Sequence, residues 1–202
     1  LEEWPLGWWP VGNVAADAGR VVFLGDSAIE PDSIVEVRDR EPVLVRPSSE
    51  MEVAPGYISQ AANITWKNQD GTTGHGLLYL PRSEDFEAPD GERPPLLVSV
   101  NPMPTMATHP GMDFSAQFWT SRGFAVLKPN PRGATGFGRD YRQALSGHWG
   151  EVDVTDCLDG VRHLINEGLV DPQRVGIRGE SFGSVTVLSA LEKSDLLSAG
   201  VV

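Results

Sequence analysis

Two short unbroken apolar runs, Leu96-Leu97-Val98-Ser99-Val100 and Phe124-Ala125-Val126-Leu127, have the pattern of parallel strands buried on both faces. Residues 113–121 between them read as a helix stopped by Gly123. A second helix is written more clearly. Val154, Cys157, Leu158, Val161, Leu164 and Ile165 fall on one side of it, Gly168 ends it, and Asp153 and Asp156 lie in its first turn, where the helix dipole favours negative charge. Asp171-Pro172 leads into a strand at 175–177, a tight turn, and a helix on which Val185, Leu188 and Leu191 share a side. Strands alternating with helices predict an α/β sheet.

Upstream the period shortens to two. Residues 20–24, 33–37 and 43–45 alternate as short strands, separated by Gly25-Asp26 and Pro31-Asp32, and predict a β-meander. Its extent matches one propeller blade or one hairpin pair, too little to close a ring. Two further alternating runs, 58–66 and 74–80, flank Asn68-Gln69-Asp70-Gly71, a hairpin turn, and residues 83–95 read as an exposed loop. The expected division is therefore an all-β segment over 1–50 and an α/β unit over 51–202.

Composition adds exclusions. A chain of 202 residues that is 40% hydrophobic and 22% charged can bury one sizeable core. A net charge of -12 argues against nucleic acid and anionic membrane surfaces as partners. The single cysteine, Cys157, reads as core filler that cannot form an internal disulfide. With no apolar run long enough for a bilayer and no basic-then-apolar leader, the expectation is a cytoplasmic protein.

The candidate chemistry is the pentad Gly179-Glu180-Ser181-Phe182-Gly183, set between strand and helix. A serine hydroxyl is a weak nucleophile that must stand exposed on a tight turn where a base can reach it, and flanking glycines remove the Cβ atoms that would block such a turn. Functional groups of α/β sheets gather at the carboxyl ends of strands, where Ser181 falls. Other features read as structural. His75, His109, His148 and His163 show no His-x-His or His-x-x-x-His spacing, so no metal site is expected. Gly133, Gly136 and Gly138 are loop glycines, not a dinucleotide fingerprint, and no cofactor is expected. Trp4, Trp8 and Trp9 read as packing at a sheet edge before they read as a substrate channel.

Several stretches together resemble the prolyl oligopeptidase family of serine peptidases, most closely its acylaminoacyl peptidase and dipeptidyl peptidase-like bacterial members. They are Asp70-Gly71-Thr72-Thr73-Gly74-His75-Gly76 with Leu78-Tyr79-Leu80-Pro81, residues 119–126, Asn130-Pro131-Arg132-Gly133-Ala134-Thr135-Gly136-Phe137-Gly138, Trp149-Gly150-Glu151-Val152-Asp153-Val154-Thr155-Asp156, and residues 171–183, in family order over about 57–200. Residues 21–37 are similar to the end of the family's propeller. The resemblance implies the N-terminal half of an α/β-hydrolase domain preceded by the end of a β-propeller. It implies an acyl-enzyme on Ser181, with the Phe182 backbone N–H as one oxyanion donor. Where relatives read His-Gly-Gly-Pro, this chain has Asn101-Pro102-Met103-Pro104; Pro102 has no N–H, which leaves the Asn101 side-chain amide or the Met103 backbone as second donor. Pro131, Glu180 and Ser184 also depart from the family pattern.

Hydrolases of this fold carry their acid and histidine downstream of the serine. Here the last histidine is His163, and Asp195, the one aspartate after Ser181, comes too early. The chain is thus expected to hold the nucleophile alone and to be inactive by itself, with the remaining half missing or supplied by a complementary chain; the other partner expected is a second copy, in a homo-oligomer. The expected function is hydrolysis of short peptides; the alternatives are a carboxylesterase-like hydrolase and a non-catalytic pseudoenzyme.

Overall fold

The computed structural model describes residues 6–202, the side chains of 9–11 excepted. Its N-terminal part is an antiparallel meander of four strands in sequential order, β1 (Trp9–Asp17), β2 (Arg20–Asp26), β3 (Ser33–Arg38) and β4 (Glu41–Pro47). Phe23, Val35 and Val37 form its small core, with Trp8 and Leu6 packed against them. Trp4 and the Trp9 side chain, read above as part of an aromatic cluster, lie outside the described residues. β1 escaped the sequence reading because its register shifts on both sides of Gly12, and such irregularities erase the period of two.

The second sheet has six strands in the order β10-β9-β7-β8-β6-β5, where β5 is Ala62–Lys67, β6 Thr73–Tyr79, β7 Leu96–Val100, β8 Ala125–Asn130, β9 Val175–Gly179 and β10 Ala199–Val201. β7 to β10 are parallel, while β6 and β5 run antiparallel at one edge. The expected strand over 58–66 begins later, at Ala62. The residues before it turn at Pro55–Tyr57 and then dock on α1 (Phe114–Thr120), where the Ser59 N–H donates to Gln117 Oε1 at 2.8 Å and Gln117 Nε2 donates to the Ser59 carbonyl at 2.9 Å. Three further helices follow: α2 (Arg139–Gln143), α3 (Val152–Asn166) and α4 (Phe182–Lys193).

Strand alternation sorts the core into two layers. Leu96, Val98, Leu127, Val175 and Ile177 face α3 and α4, while Leu77, Tyr79, Leu97 and Val126 face α1. α3 presents the face its sequence predicts, with Val154, Cys157, Leu158, Val161 and Leu164 all buried. Cys157 is core filler, and burial pushes its thiol well above the usual range. On α4 the predicted face is corrected. Thr186, Val187 and Ala190 point inward, whereas Val185 and Leu188 are 47% and 57% exposed; only Leu191 of the predicted trio packs against the core. An apolar helix offers two equally oily sides, and the sheet selects between them. No helix among the described residues is long and apolar enough to cross a membrane.

The two sheets meet at Asp26. The Met112 N–H donates to the Ser27 carbonyl at 2.7 Å, and a Cβ on Gly111 would fall within 1.8 Å of an Asp26 oxygen, so any larger residue there would have to displace the Asp26 carboxyl. Asp26 Oδ1 is buried and finds no donor among the described residues. Burial, helped by Asp32, raises this carboxyl above its ordinary value. A carboxyl that holds its proton more tightly folded than unfolded contributes fully below the ordinary carboxylate pKa, and that contribution is lost as pH rises through the raised value. Asp26→Asn is therefore expected to add about 1–2 kcal/mol at neutral pH and to flatten the melting temperature's dependence on pH above about 4. Equal or lower stability in thermal melts at pH 7 would count against a charge strained by burial.

Candidate active site

From β7 the chain crosses by α1 to β8 on one side, then returns by α3 to β9 on the other side of β7. The strand order therefore reverses between β7 and β9, and the crevice beyond their carboxyl ends is where open α/β sheets bind ligands. Two segments fill the rim of that crevice: the loop 101–108 after β7, and the pentad after β9.

Ser181 stands at the N-terminus of α4, exposed, with φ 52° and ψ −123°. Positive φ in a residue with a Cβ is strained, and it aims the hydroxyl out of the turn. Both glycines of the pentad are required by backbone contact. A Cβ on Gly179 would lie 2.7 Å from the Gly183 carbonyl oxygen, and one on Gly183 would lie 2.9 Å from the Asn101 carbonyl oxygen. Helix, strand and loop are thus packed backbone to backbone around the serine. Ser184, where relatives carry glycine, fits by donating its hydroxyl to the Gly179 carbonyl at 3.3 Å.

The oxyanion candidates separate in the structure. The Phe182 N–H lies at the elbow and donates to the Pro102 carbonyl over a long 3.3 Å, so the loop's own oxygen sits where a substrate oxygen would have to bind. The Asn101 amide, the other donor considered above, is engaged within its own loop. Its Nδ2 donates to the Met106 carbonyl at 2.9 Å and to Thr108 Oγ1 at 3.3 Å, which uses both N–H groups to shape the loop. Asn130 finishes that shaping, accepting from the Thr108 N–H at 2.7 Å and donating back to its carbonyl at 3.2 Å. Met103 is exposed, and among the described residues its N–H donates to no protein group, which leaves it as the available second donor.

Glu180 is exposed and borders a cavity on the α1 side of the sheet. Trp149 was visible in the sequence only as part of the resemblance. Its ring, half exposed, meets Phe182 edge-on at 4.4 Å, and its segment is tied to α4 by Lys193 Nζ donating to the Gly150 carbonyl at 2.6 Å. The histidines lie elsewhere: His75 stacks on Phe137 and edges Tyr141, and His148 Nδ1 pairs with Glu151 at 3.2 Å. Gly133, Gly136 and Gly138 all take positive φ in the loop after β8, as their reading as loop glycines requires. No group of three metal-ligating side chains gathers among the described residues.

A strained, exposed serine between two obligatory glycines, at the switch point of a doubly wound sheet, is the geometry of a nucleophile elbow. Residues 110–202 match the prolyl oligopeptidase family. Over those residues the chain is of the prolyl oligopeptidase type. Among its relatives, dipeptidyl aminopeptidase BIII of Pseudoxanthomonas mexicana is 33% identical over 138 residues, which is 66% of this chain and 20% of that protein. A puromycin-hydrolyzing peptidase of Mycobacterium tuberculosis superposes with a TM-score of 0.90 at 32% identity, covering 93% of this chain and 29% of that one. The acylaminoacyl peptidase of Pyrococcus horikoshii superposes at 0.76 with 26% identity, covering 96% and 30%. The chain thus spans about a fifth to a third of the prolyl oligopeptidase relatives it matches.

Proposed function

We propose that this chain carries the nucleophile half of a serine peptidase that hydrolyses short peptides through an acyl-enzyme on Ser181. In this reading the hydroxyl attacks the scissile carbonyl, the amine leaves, and water releases the acyl group. The Phe182 and Met103 N–H groups bind the oxyanion once the Pro102 carbonyl withdraws. The aspartate and histidine come from polypeptide outside these residues, either its continuation or a complementary chain. The meander β1–β4 is the closing edge of a β-propeller that filters substrates by size. The observation that carries the proposal is the backbone of Ser181, whose φ of 52° with ψ −123° is the kind of strained conformation that collects at functional sites and which holds its exposed hydroxyl at the end of β9.

A fluorophosphonate probe tests it. In the protein as it occurs in its source, the expected result is covalent label on the peptide containing Ser181, abolished by Ser181→Ala. The 202-residue chain alone should label about 10³-fold more slowly or worse, because a serine without its base keeps only the oxyanion contribution. No label in either protein would establish the pseudoenzyme reading, in which the Pro102 contact to Phe182 is permanent. Turnover of p-nitrophenyl esters without turnover of peptide anilides would establish an esterase instead.

A further inference from the structure

The loop 101–108 is held firmly at both ends and weakly at its tip. At the near end the Asn101 carbonyl is wedged against Gly183, where a Cβ would lie 2.9 Å from its oxygen. At the far end the chain from the end of β8 onward grips the loop three times. The Asn130 amide accepts from the Thr108 N–H at 2.7 Å and donates to the Thr108 carbonyl at 3.2 Å. The Thr135 N–H donates to the Thr105 carbonyl at 3.0 Å, and the Pro104 carbonyl passes so close to Gly133 that a Cβ there would meet its oxygen at 3.0 Å.

Between these anchors stand Pro102, Met103 and Pro104. Proline has no N–H, so Met103 holds the one backbone donor of the tip, and a residue before proline is confined to extended conformations. Two long bonds tie the tip down, from the Phe182 N–H to the Pro102 carbonyl and from the Met106 N–H to the Met103 carbonyl, each at 3.3 Å. A tip so stiff in itself and so weakly tied takes its place from the stem beneath it. The bonds of the Asn101 amide begin and end within the loop, so they set its shape and not its position. Asn130 reaches in from another strand. It is buried, lies 22 residues beyond Thr108, and closes both polar groups of that residue as a neighbouring strand would. Its own backbone is fixed, since it pairs with His75 of β6 and its carbonyl accepts from the Tyr141 hydroxyl at 2.7 Å.

We infer that Asn130 is a positioning residue of the oxyanion site: through Thr108 it fixes the stem of the loop 101–108, and so the place from which the Met103 N–H is offered beside Ser181. The inference rests on the peptidase reading and adds to it a residue that touches no substrate. A primary amide suits the task because it presents an acceptor and a donor in one plane without charge. Alanine there would leave the Thr108 N–H and carbonyl without their partner, and aspartate, of the same shape, would set an oxygen against that carbonyl.

The test is run on the protein as it occurs in its source. Asn130→Ala should lower fluorophosphonate labelling of Ser181, and kcat on a peptide anilide, by about 10- to 10²-fold, less than the outright loss of an oxyanion donor. KM should stay within about twofold, because a bond to the oxyanion is made in the transition state and not before it. Amide hydrogen exchange over 101–108, which needs no turnover, should quicken by about 10-fold while that of α4 keeps the parent's rate. Asn130→Asp serves where the alanine variant fails to fold and should lose about as much. Tyr141→Phe is the control: it takes a hydrogen bond from the Asn130 carbonyl, leaves the Thr108 pairing intact, and should label within about twofold of the parent. A parent that takes no label has no oxyanion to place, and the peptidase reading and this inference fall together. A parent that labels leaves that reading standing. Labelling of Asn130→Ala within about twofold of that parent, unchanged exchange over 101–108, a rise in KM without loss of kcat, or an equal loss in Tyr141→Phe would then overturn the inference alone.

Discussion

Asp156→Ala is expected to lower folding stability by about 3–5 kcal/mol, a fall in melting temperature of about 6–20 °C for a chain of this length. Asp156 is fully buried on α3, and the Arg132 guanidinium grips it with Nη2 on Oδ1 at 2.7 Å and Nε at 3.0 Å. The Arg132 backbone N–H adds a bond to Oδ2 at 2.7 Å, and Asn68 Nδ2 donates to Oδ1 at 2.8 Å. Asn68 in turn accepts from the Trp66 indole at 2.9 Å, and Arg132 Nη1 reaches Asp70 at 2.6 Å. One carboxylate therefore ties the β5–β6 turn, the loop after β8 and α3 into a single joint. Burial works against it, pushing the Asp156 carboxyl up while the Arg132 charge pulls it down. Its removal costs so much because it leaves a largely buried guanidinium with only the half-exposed Asp70 as partner and takes the acceptor from the Arg132 backbone N–H and from one Asn68 N–H. The double variant Asp156→Leu with Arg132→Met should recover much of the loss, since it removes both charges together. A single variant that melts within 2 °C of the parent would show that the joint contributes little.

That joint also marks the limit of what the sequence discloses. The spacing of Asp153 and Asp156 reads as first-turn acid placed for the helix dipole, and for both residues a tertiary role takes over. Asp153 accepts from Thr186 Oγ1 at 2.6 Å and from the Gly150 N–H at 2.8 Å, fastening α3 to α4 and to the Trp149 segment. Long-range partners leave no periodic trace, so nothing local distinguishes an acid bound to an arginine 24 residues away from one facing water. What was legible was what period and punctuation encode: the buried parallel strands, the core face of α3, the hairpin at Asn68 and the elbow at Ser181. The misses follow the same logic. β1 is bulged, α2 and β10 are too short to carry a period, and α4 is apolar on two sides. At the site, Ser181 was readable because glycines announce it. The bonds of the Asn101 amide within its own loop were not legible, because a side chain's choice among neighbouring acceptors is made by loop geometry that leaves no mark in the sequence.

Gly179→Ala should damage the site more than its size suggests, and it separates the backbone's role in the elbow from the hydroxyl's. The new Cβ would meet the carbonyl oxygen and carbon of Gly183 at 2.7 and 2.8 Å, atoms of the first turn of α4 that cannot swing aside as a side chain would. α4 must therefore back away from β9, carrying Phe182 and its N–H with it. Overpacking of this kind costs about 1–3 kcal/mol of stability. A displacement of about 1 Å at a catalytic group is worth about 10²-fold in rate, so fluorophosphonate labelling of Ser181 should fall by about that factor although the hydroxyl is untouched. Gly176→Ala supplies the comparison on the same strand. Its Cβ would meet nothing closer than Leu97 Cδ1 at an ordinary 3.7 Å, and both stability and labelling should stay near the parent's. If the two variants label alike, the glycines of the pentad are a sequence habit and not a steric requirement, and the strain at Ser181 must be held by something other than the crossing of helix and strand.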